Sequence, residues 1–437
     1  MIANRQQKQG GGFMIKVFLY NTKDTQKTAY IWNTWAAMLN SFQSVLILMV
    51  ISRIDPVTDA GVFTIAFAIG NLMLTIGQYG IRQFQVSDVQ EKYSFREYVG
   101  VRVITSCLMV IVSFFYVGIH YYTGAYDFEK SIAVFLICLS KTIDSVEDVF
   151  QGRLQQRERL DIGAKAMTVR LLGYIITFIS SYLLTENLIT ASLLALLASL
   201  FLCLVLNGTA IRNFESTVVA WEGRNVKYMF IECFPLFLAA YLVIYIGNAP
   251  KYAIDAVLSS QEQACFNYIF MPVFVIGLLS RFIYQPMIGK MALLWHKGEL
   301  GKFLSMVAKQ SAIMIGLTVF VLIGGFLLGI PALSIVYGVN LTGYKAELMV
   351  LLLGGGFLAY TSFYQMVLTV IRRQNWLIAG YLLGYVLFLL LGRWTVEQGG
   401  ILGVSVFYTI VVAVIAVYFA MVILWGYKVR KKQMKST

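Results

Sequence analysis

Very little in this chain would serve a soluble enzyme. Its 437 residues include only two histidines, His120 and His296, and five cysteines, Cys107, Cys138, Cys203, Cys233 and Cys265. No two cysteines have metal-ligand spacing, so no metal site is expected and the thiols read as buried and inert. The histidines fall on opposite sides of the membrane inferred below, which leaves no Ser/His/Asp relay. The lack of a GxxxxGK segment excludes a built-in nucleotide-driven motor. No polar gap is long enough for a soluble domain, nor for the external catalytic loop of a membrane glycosyltransferase or polymerase. No catalytic residue and no cofactor are therefore expected. Nor is a cleavable signal peptide: the first apolar run begins near Tyr30, behind a polar tail, without a small-residue cleavage site.

What the chain has is apolar length. It is 59% hydrophobic with a mean hydropathy of +0.72, against roughly 45–50% apolar content in soluble domains. A bilayer core of ~30 Å needs about 20 mostly apolar residues per helix, and twelve runs supply them. The first six are Tyr30–Ser52, Gly61–Gln83, Val99–Ile119, Ile132–Phe150, Ala164–Leu184 and Leu188–Thr209. The second six are Met229–Ala249, Ala264–Pro286, Met306–Leu328, Glu347–Ile371, Trp376–Trp394 and Ile401–Gly426. Pro331–Val339 is also apolar and reads as a short interfacial segment. The runs are too long, and too little alternating, for transmembrane strands. The expected fold is an all-α integral membrane protein of about twelve spans.

Charge sets the orientation. The gaps holding Arg82, Lys92 and Arg96, then Arg153, Arg157 and Arg159, then Arg212, Arg224 and Lys227, then Lys290, Lys297 and Lys302, then Arg372 and Arg373, are basic, as are both tails. The alternate gaps hold one base each: Arg53, Lys130, Lys251, Lys345 and Arg393. With span-end bases such as Arg102, Lys165, Arg170 and Lys309 included, one side carries 28 of the 35 Lys and Arg and the other carries 5. Basic gaps stay in the cytoplasm, so both termini are expected there. The net charge of +13 then reads as topology and lipid-headgroup contact, and no nucleic-acid partner is expected. The chain divides into residues 1–29 as a cytoplasmic tail, 30–210 as a first lobe of six helices, and 211–437 as a second lobe with a basic tail. Within the tail, the codons for Gln9-Gly10-Gly11 can spell a ribosome-binding sequence shortly before Met14. Translation from Met14, with residues 1–13 outside the folded protein, is the expectation.

Polar groups inside spans carry the chemistry. Lys141, Asp144, Glu147, Asp148 and Gln151 of the fourth span fall within one arc of about 120°. Ionised groups at mid-bilayer cost roughly 2.5–3.5 kcal/mol each on insertion scales, so this stripe faces a partner helix or a hydrated cavity. Lys141 is read either as a cavity cation or as half of a buried pair with Asp144. Asp144 and Asp148 are candidates for ion coupling. Arg281, midway along the eighth span and far in sequence from any acid, suits a phosphate oxygen or an acid on another helix. Asn40 and Gln43 in the first span, and Asn71, Gln78 and Arg82 in the second, read as interhelical glue or cavity lining. Pro235, Pro272 and Pro286 are expected to bend the seventh and eighth spans.

Several segments resemble bacterial polysaccharide flippases, the lipid-linked oligosaccharide translocases of the multidrug/oligosaccharidyl-lipid/polysaccharide exporter (MOP) superfamily. They are Gly77-Gln-Tyr-Gly-Ile-Arg82-Gln-Phe-Gln85-Val-Ser-Asp88 with Tyr93-Ser-Phe-Arg-Glu-Tyr98, Lys141-Thr-Ile-Asp-Ser-Val-Glu-Asp-Val-Phe-Gln-Gly152 with Gln156-Arg157-Glu-Arg159, and Asn248-Ala-Pro-Lys251-Tyr. The resemblance covers about Tyr30 to Lys290. It implies two six-helix lobes around a central cavity, and a polyprenyl-diphosphate-linked oligosaccharide moved from the inner to the outer leaflet of the bacterial cytoplasmic membrane. It also implies cavity arginines on helices one, two and eight. Arg281 matches the last; Arg53 and Arg82, at span ends, match the others loosely. The implied partners are the lipid-linked sugar, the bilayer and polysaccharide-assembly enzymes. The rival readings are a cation-coupled small-molecule exporter of the same superfamily, a membrane glycosyltransferase or polymerase, and a non-transporting scaffold.

Overall fold

The computed structural model describes residues 10–55, 57–88, 91–211, 223–284 and 287–436, and among these there is no strand. A short helix, α1 (Gly10–Tyr20), precedes α2 (Thr25–Ile54), α3 (Asp59–Gln78), α4 (Ile81–Ser87), α5 (Phe95–Tyr122), α6 (Phe128–Gln156), α7 (Leu160–Thr185), α8 (Leu188–Ile211) and α9 (Gly223–Asp255). There follow α10 (Ser260–Tyr284), α11 (Ile288–His296), α12 (Leu300–Gly324), a π turn over Gly325–Gly329, α13 (Ile330–Tyr337), a 3-10 turn over Thr342–Tyr344, α14 (Lys345–Val370) and α15 (Asn375–Ser436).

Nine helical segments among the described residues are long and apolar enough to cross a membrane. α6 and α10, with 29 and 25 residues, have the length but are not among the nine; in α6 the charged stripe lowers the hydropathy. α15 is two helices in one. Gly400 sits at φ 56, ψ −141, a region that only glycine enters readily. The halves on either side of it pack antiparallel: Trp376 meets Trp425, Tyr381 meets Phe419, and Phe388 meets Phe407.

Three features differ from the sequence reading. The Pro331–Val339 stretch is largely a continuation of α12: the π turn absorbs the proline's missing donor and α13 follows directly. α9 runs through Pro250 to Asp255, beyond the apolar run that ends at Ala249. Cys107 is exposed and Cys265 half-buried, whereas Cys138, Cys203 and Cys233 are buried as expected. Pro235 and Pro272 lie within α9 and α10; Pro286 is outside the described residues.

The chain forms two compact units, one comprising Met1–Ile54 with Val62–Tyr241 and the other Asp55–Gly61 with Leu242–Thr437. Within each, the basic gaps gather at one end. In the first unit Arg153 and Arg157 both reach Glu91, at 3.2 Å and 3.3 Å. At the same end Tyr20 of α1 donates to the carbonyl of Ala210 at 2.7 Å, and Lys165 donates to the carbonyl of Phe18 at 2.9 Å. Leu19 is fully buried against Leu154, Ile162 and Leu206. In the second unit Arg430 of the C-terminal tail lies over the Trp295 ring and Arg373 over Trp425.

Candidate functional site

The first unit is organised around the charged stripe of α6. α3 stops because Tyr79 and Gly80 take left-handed conformations, φ 47 and φ 68. A Cβ on Gly80 would lie 2.6 Å from the Cβ of Leu236, so the position has room only for glycine. The break leaves the Gly77 carbonyl free of the continuing helix. It accepts instead from Thr105 Oγ1 at 2.7 Å and from Arg102 Nη1. Arg102, 1% exposed, places its Nη2 2.7 Å from Asp148 Oδ2. Arg82, at the start of α4, reaches the other oxygen of Asp148 at 3.5 Å and donates to Gln155 Oε1 at 3.1 Å.

One turn back along α6, a second arginine binds two acids. Arg170 of α7 donates from Nη2 to Asp144 Oδ1 at 2.7 Å, from Nε to Glu147 Oε2 at 2.9 Å, and from Nη1 to Ser199 Oγ of α8 at 3.1 Å. Asn207 of α8 donates to the remaining oxygen of Glu147 at 3.1 Å. Lys141 donates to Asp144 Oδ2 at 3.0 Å and lies over the Phe67 ring. Gln151 closes the stripe by donating to the Gly163 carbonyl at 2.7 Å. Three carboxylates thus meet four cations, and the surplus positive charge falls on Arg82, whose side chain is 30% exposed. The other members are largely buried, so loss of one leaves a partner charged and short of a counter-ion.

This lattice is two networks on one stripe: it pairs Lys141 with Asp144, and Arg82 with Asp148. Of the two arrangements open for Lys141, the structure has the buried pair. Asn40 is exposed on α2, and Gln43 is buried and donates to the backbone and side-chain oxygens of Asn40, at 3.1 Å and 3.0 Å. Asn71 and Gln78 are half-buried on α3, and Arg53 is exposed near the end of α2. None of these five is among the lattice hydrogen bonds described above. The residues that sequence reasoning missed are Arg102 and Arg170, counted there as span-end bases. The signal was available: three acids and one lysine on one stripe require cations from other helices.

In the second unit a cavity of about 450 Å³ has a different chemistry. Thr361, Gln365 and Thr369, four residues apart, present one face of α14 to it, with Ser362 beside them. Tyr381 of α15 donates to Gln365 Oε1 at 2.8 Å. Val243, Ile246, Val412 and Ile415 supply an apolar wall, and among the described residues no carboxylate lines the space. Tyr284, the last residue of α10, borders it, one turn beyond Arg281 on the same helix. Lys251, read from sequence as a base of an external gap, lies inside α9 and is 5% exposed.

No protein-family model matches the sequence, and no curated protein matches it significantly. Solved structures do. The chain is similar to an inward-facing multidrug resistance MATE family transporter of the MOP superfamily, at 12% identity and a TM-score of 0.67, over 91% of this chain and 96% of that one. It is similar to the lipid II flippase MurJ in an inward closed conformation, at 11% identity and a TM-score of 0.70, over 90% of this chain and 88% of that one. A MOP superfamily transporter from Pyrococcus furiosus matches at 13% identity and a TM-score of 0.54, over 95% and 98%. These neighbours are transporters and flippases, not enzymes, and the fold shared with them is the all-helical, multi-pass membrane fold of that superfamily.

Proposed function

We propose that this protein is a flippase that moves a polyprenyl-diphosphate-linked oligosaccharide from the inner to the outer leaflet of a bacterial cytoplasmic membrane, for cell-surface polysaccharide assembly. The observation that carries the reading is the cavity of the second unit. Its hydroxyl, amide and tyrosine groups are those that hydrogen-bond and stack on sugars, and its wall holds no carboxylate among the described residues. Arg281 lies one turn before Tyr284 on α10, its side chain outside those described, and in this reading it is the cation that a diphosphate needs. The twelve spans, counted with α6, α10 and the two halves of α15, belong to the same proposal. So do the two six-helix lobes, the cytoplasmic termini and the assembly-enzyme partners. An inside-negative potential favours outward movement of the anionic headgroup by roughly 2.3 kcal/mol per charge per 100 mV. No bond is made or broken.

The second reading, a cation-coupled small-molecule exporter, is favoured by the likeness to multidrug transporters. It calls for carboxylates that meet cationic cargo, whereas the buried acids of α6 are held by arginine and lysine. Translocation of a labelled polyprenyl-diphosphate sugar in proteoliposomes decides between them. Arg281→Ala is expected to abolish translocation while the protein still inserts and unfolds at the wild-type temperature. Wild-type translocation by Arg281→Ala removes that arginine from the site; ethidium efflux with no sugar movement favours the exporter.

A further inference from the structure

Six lysines and arginines are buried among the described residues: Arg102, Lys141, Arg153, Lys165, Arg170 and Lys251. Five face oxygen. Arg102, Lys141, Arg153 and Arg170 each reach a carboxylate. Lys165 donates to the carbonyls of Phe18 and Leu19 and to the Thr22 hydroxyl. Lys251 faces carbon. Its Nζ lies 5.6 Å and 5.8 Å from the ring centroids of Phe270 and Phe274. Among the described residues it has no hydrogen bond and no ion pair.

The two rings belong to a stripe of α10. Gln263, Asn267, Phe270 and Phe274 succeed one another at helical intervals and so share one face. Gln263 and Asn267 are each 1% exposed. Both amide atoms of Gln263, and Oδ1 of Asn267, are buried without a hydrogen-bond partner among the described residues. α15 closes on the same stripe through Tyr408, whose ring centroid is 5.3 Å from that of Phe270 and whose hydroxyl is also unpartnered. The face therefore offers one long side chain two stations, one lined by carbon and the next by unsatisfied oxygen. A neutral amine suits the first. An ammonium, with three donors and a charge to offset, needs the second.

We propose that Lys251 is a proton-binding site inside the second unit. On the rings it is a neutral amine. Its lone pair takes a proton from hydronium, which leaves as water, and the ammonium so formed is held by the oxygens of Asn267 and Gln263. Other ionisable groups on the surrounding elements do not pair with it. Tyr252 and Asp255 lie on α9 itself, Glu262 and Tyr268 on α10, and Lys345 and Glu347 at the start of α14. Tyr385, Arg393, Glu397 and Tyr408 lie on α15, Asp55 just before α3 and Asp59 at its first position. Of these, Glu262 is held by Ser259, Arg393 pairs with Glu397, Tyr268 stacks on Tyr337, and Asp55 accepts from the backbone of Val57 and Thr58. Asp144 and Asp148, the acids that the sequence offered for coupling, are already in ion pairs.

The site can be tested without any transported lipid, so its outcome is separate from that of the flippase reading. Full-length protein in proteoliposomes on a solid-supported membrane is stepped in pH, and the charge-displacement current is recorded. The wild type is expected to give a transient. Lys251→Met and Lys251→Arg lose it, the latter because guanidinium keeps its proton. Glu262→Gln and Asp255→Asn retain it. An unchanged transient in Lys251→Met overturns the proposal, as does its loss in Asp255→Asn with retention in Lys251→Met. If neither Lys251 variant folds, Asn267→Leu decides: the ammonium loses an acceptor, and the midpoint of the transient moves to lower pH by about one unit. An unmoved midpoint overturns the proposal equally.

Discussion

The two units treat buried charge in opposite ways. The first gathers three carboxylates and four cations from α4, α5, α6 and α7 into two networks along the stripe of α6, Asp148 with Arg82 and Arg102, and Asp144 and Glu147 with Arg170 and Lys141, whose links run from 2.7 Å to 3.5 Å. Among the described residues the second has one buried cation, which lies against two rings, with the amides of Gln263 and Asn267 and the Tyr408 hydroxyl unpartnered along the same stripe. In a low-dielectric interior the first arrangement is stiff, because Arg170, Asp144 and Asp148 each fix the position of two other ions. The second lacks such cross-links, so its polar groups are free to take a ligand, a water or a proton without first breaking anything. The lesson is a division of labour: the charges most conspicuous in the sequence do the holding, and the sparser half has the freedom to bind.

The contrast can be broken most directly at Arg170. Arg170→Leu leaves buried Glu147 without a cation and Asp144 with Lys141 alone, and is expected to cost about 3–5 kcal/mol. In thermal unfolding in nanodiscs this shows as a large fall in melting temperature or as loss of monodisperse protein. A melting temperature within a degree or two of wild type would show that the lattice is not what holds the first unit. A smaller effect sharpens the comparison within the lattice itself. In double-mutant cycles, Arg102→Met with Asp148→Asn should reveal a coupling of about 1–3 kcal/mol. Arg82→Met with Asp148→Asn should give about 0–1 kcal/mol, because water screens the half-exposed arginine. Equal couplings would mean that burial does not grade these pairs. The smallest effect concerns the N-terminal helix. Tyr20→Phe removes one hydrogen bond to Ala210, worth about 1 kcal/mol, and should speed proteolysis near Phe18 while leaving the melting transition in place. Unchanged cleavage would show that the packing of Leu19 and the Lys165 hydrogen bonds dock the segment without the tyrosine hydroxyl.

The membrane class and the stripe on α6 were legible because each rests on local periodicity. Lys141, Asp144, Glu147 and Asp148 needed only the pitch of a helix to be placed together. Their partners were not legible. Arg102 and Arg170 lie a few residues inside α5 and α7, and counting bases by their distance from a polar gap assigned them to the interface. Depth in a packed unit is a tertiary property that such a count cannot contain. Lys251 was misplaced for a related reason. The end of the apolar run at Ala249 put it in an external gap, whereas α9 continues to Asp255 because length is set by backbone pairing and packing, not by hydropathy. The cavity residues on α14 gave no warning at all. Thr361, Gln365 and Thr369 are ordinary polar interruptions of an apolar run until Tyr381 is brought to them from another helix.

Gly400 has a consequence for the chain as a whole. Were α15 straight, the cluster Lys428, Arg430, Lys431 and Lys432 would emerge into the opposite water phase from the one that holds Trp295. The turn back depends on a backbone angle that a single methyl group would penalise. The parity of crossings, and with it the address of the entire basic tail, thus hinges on a side chain that is not there.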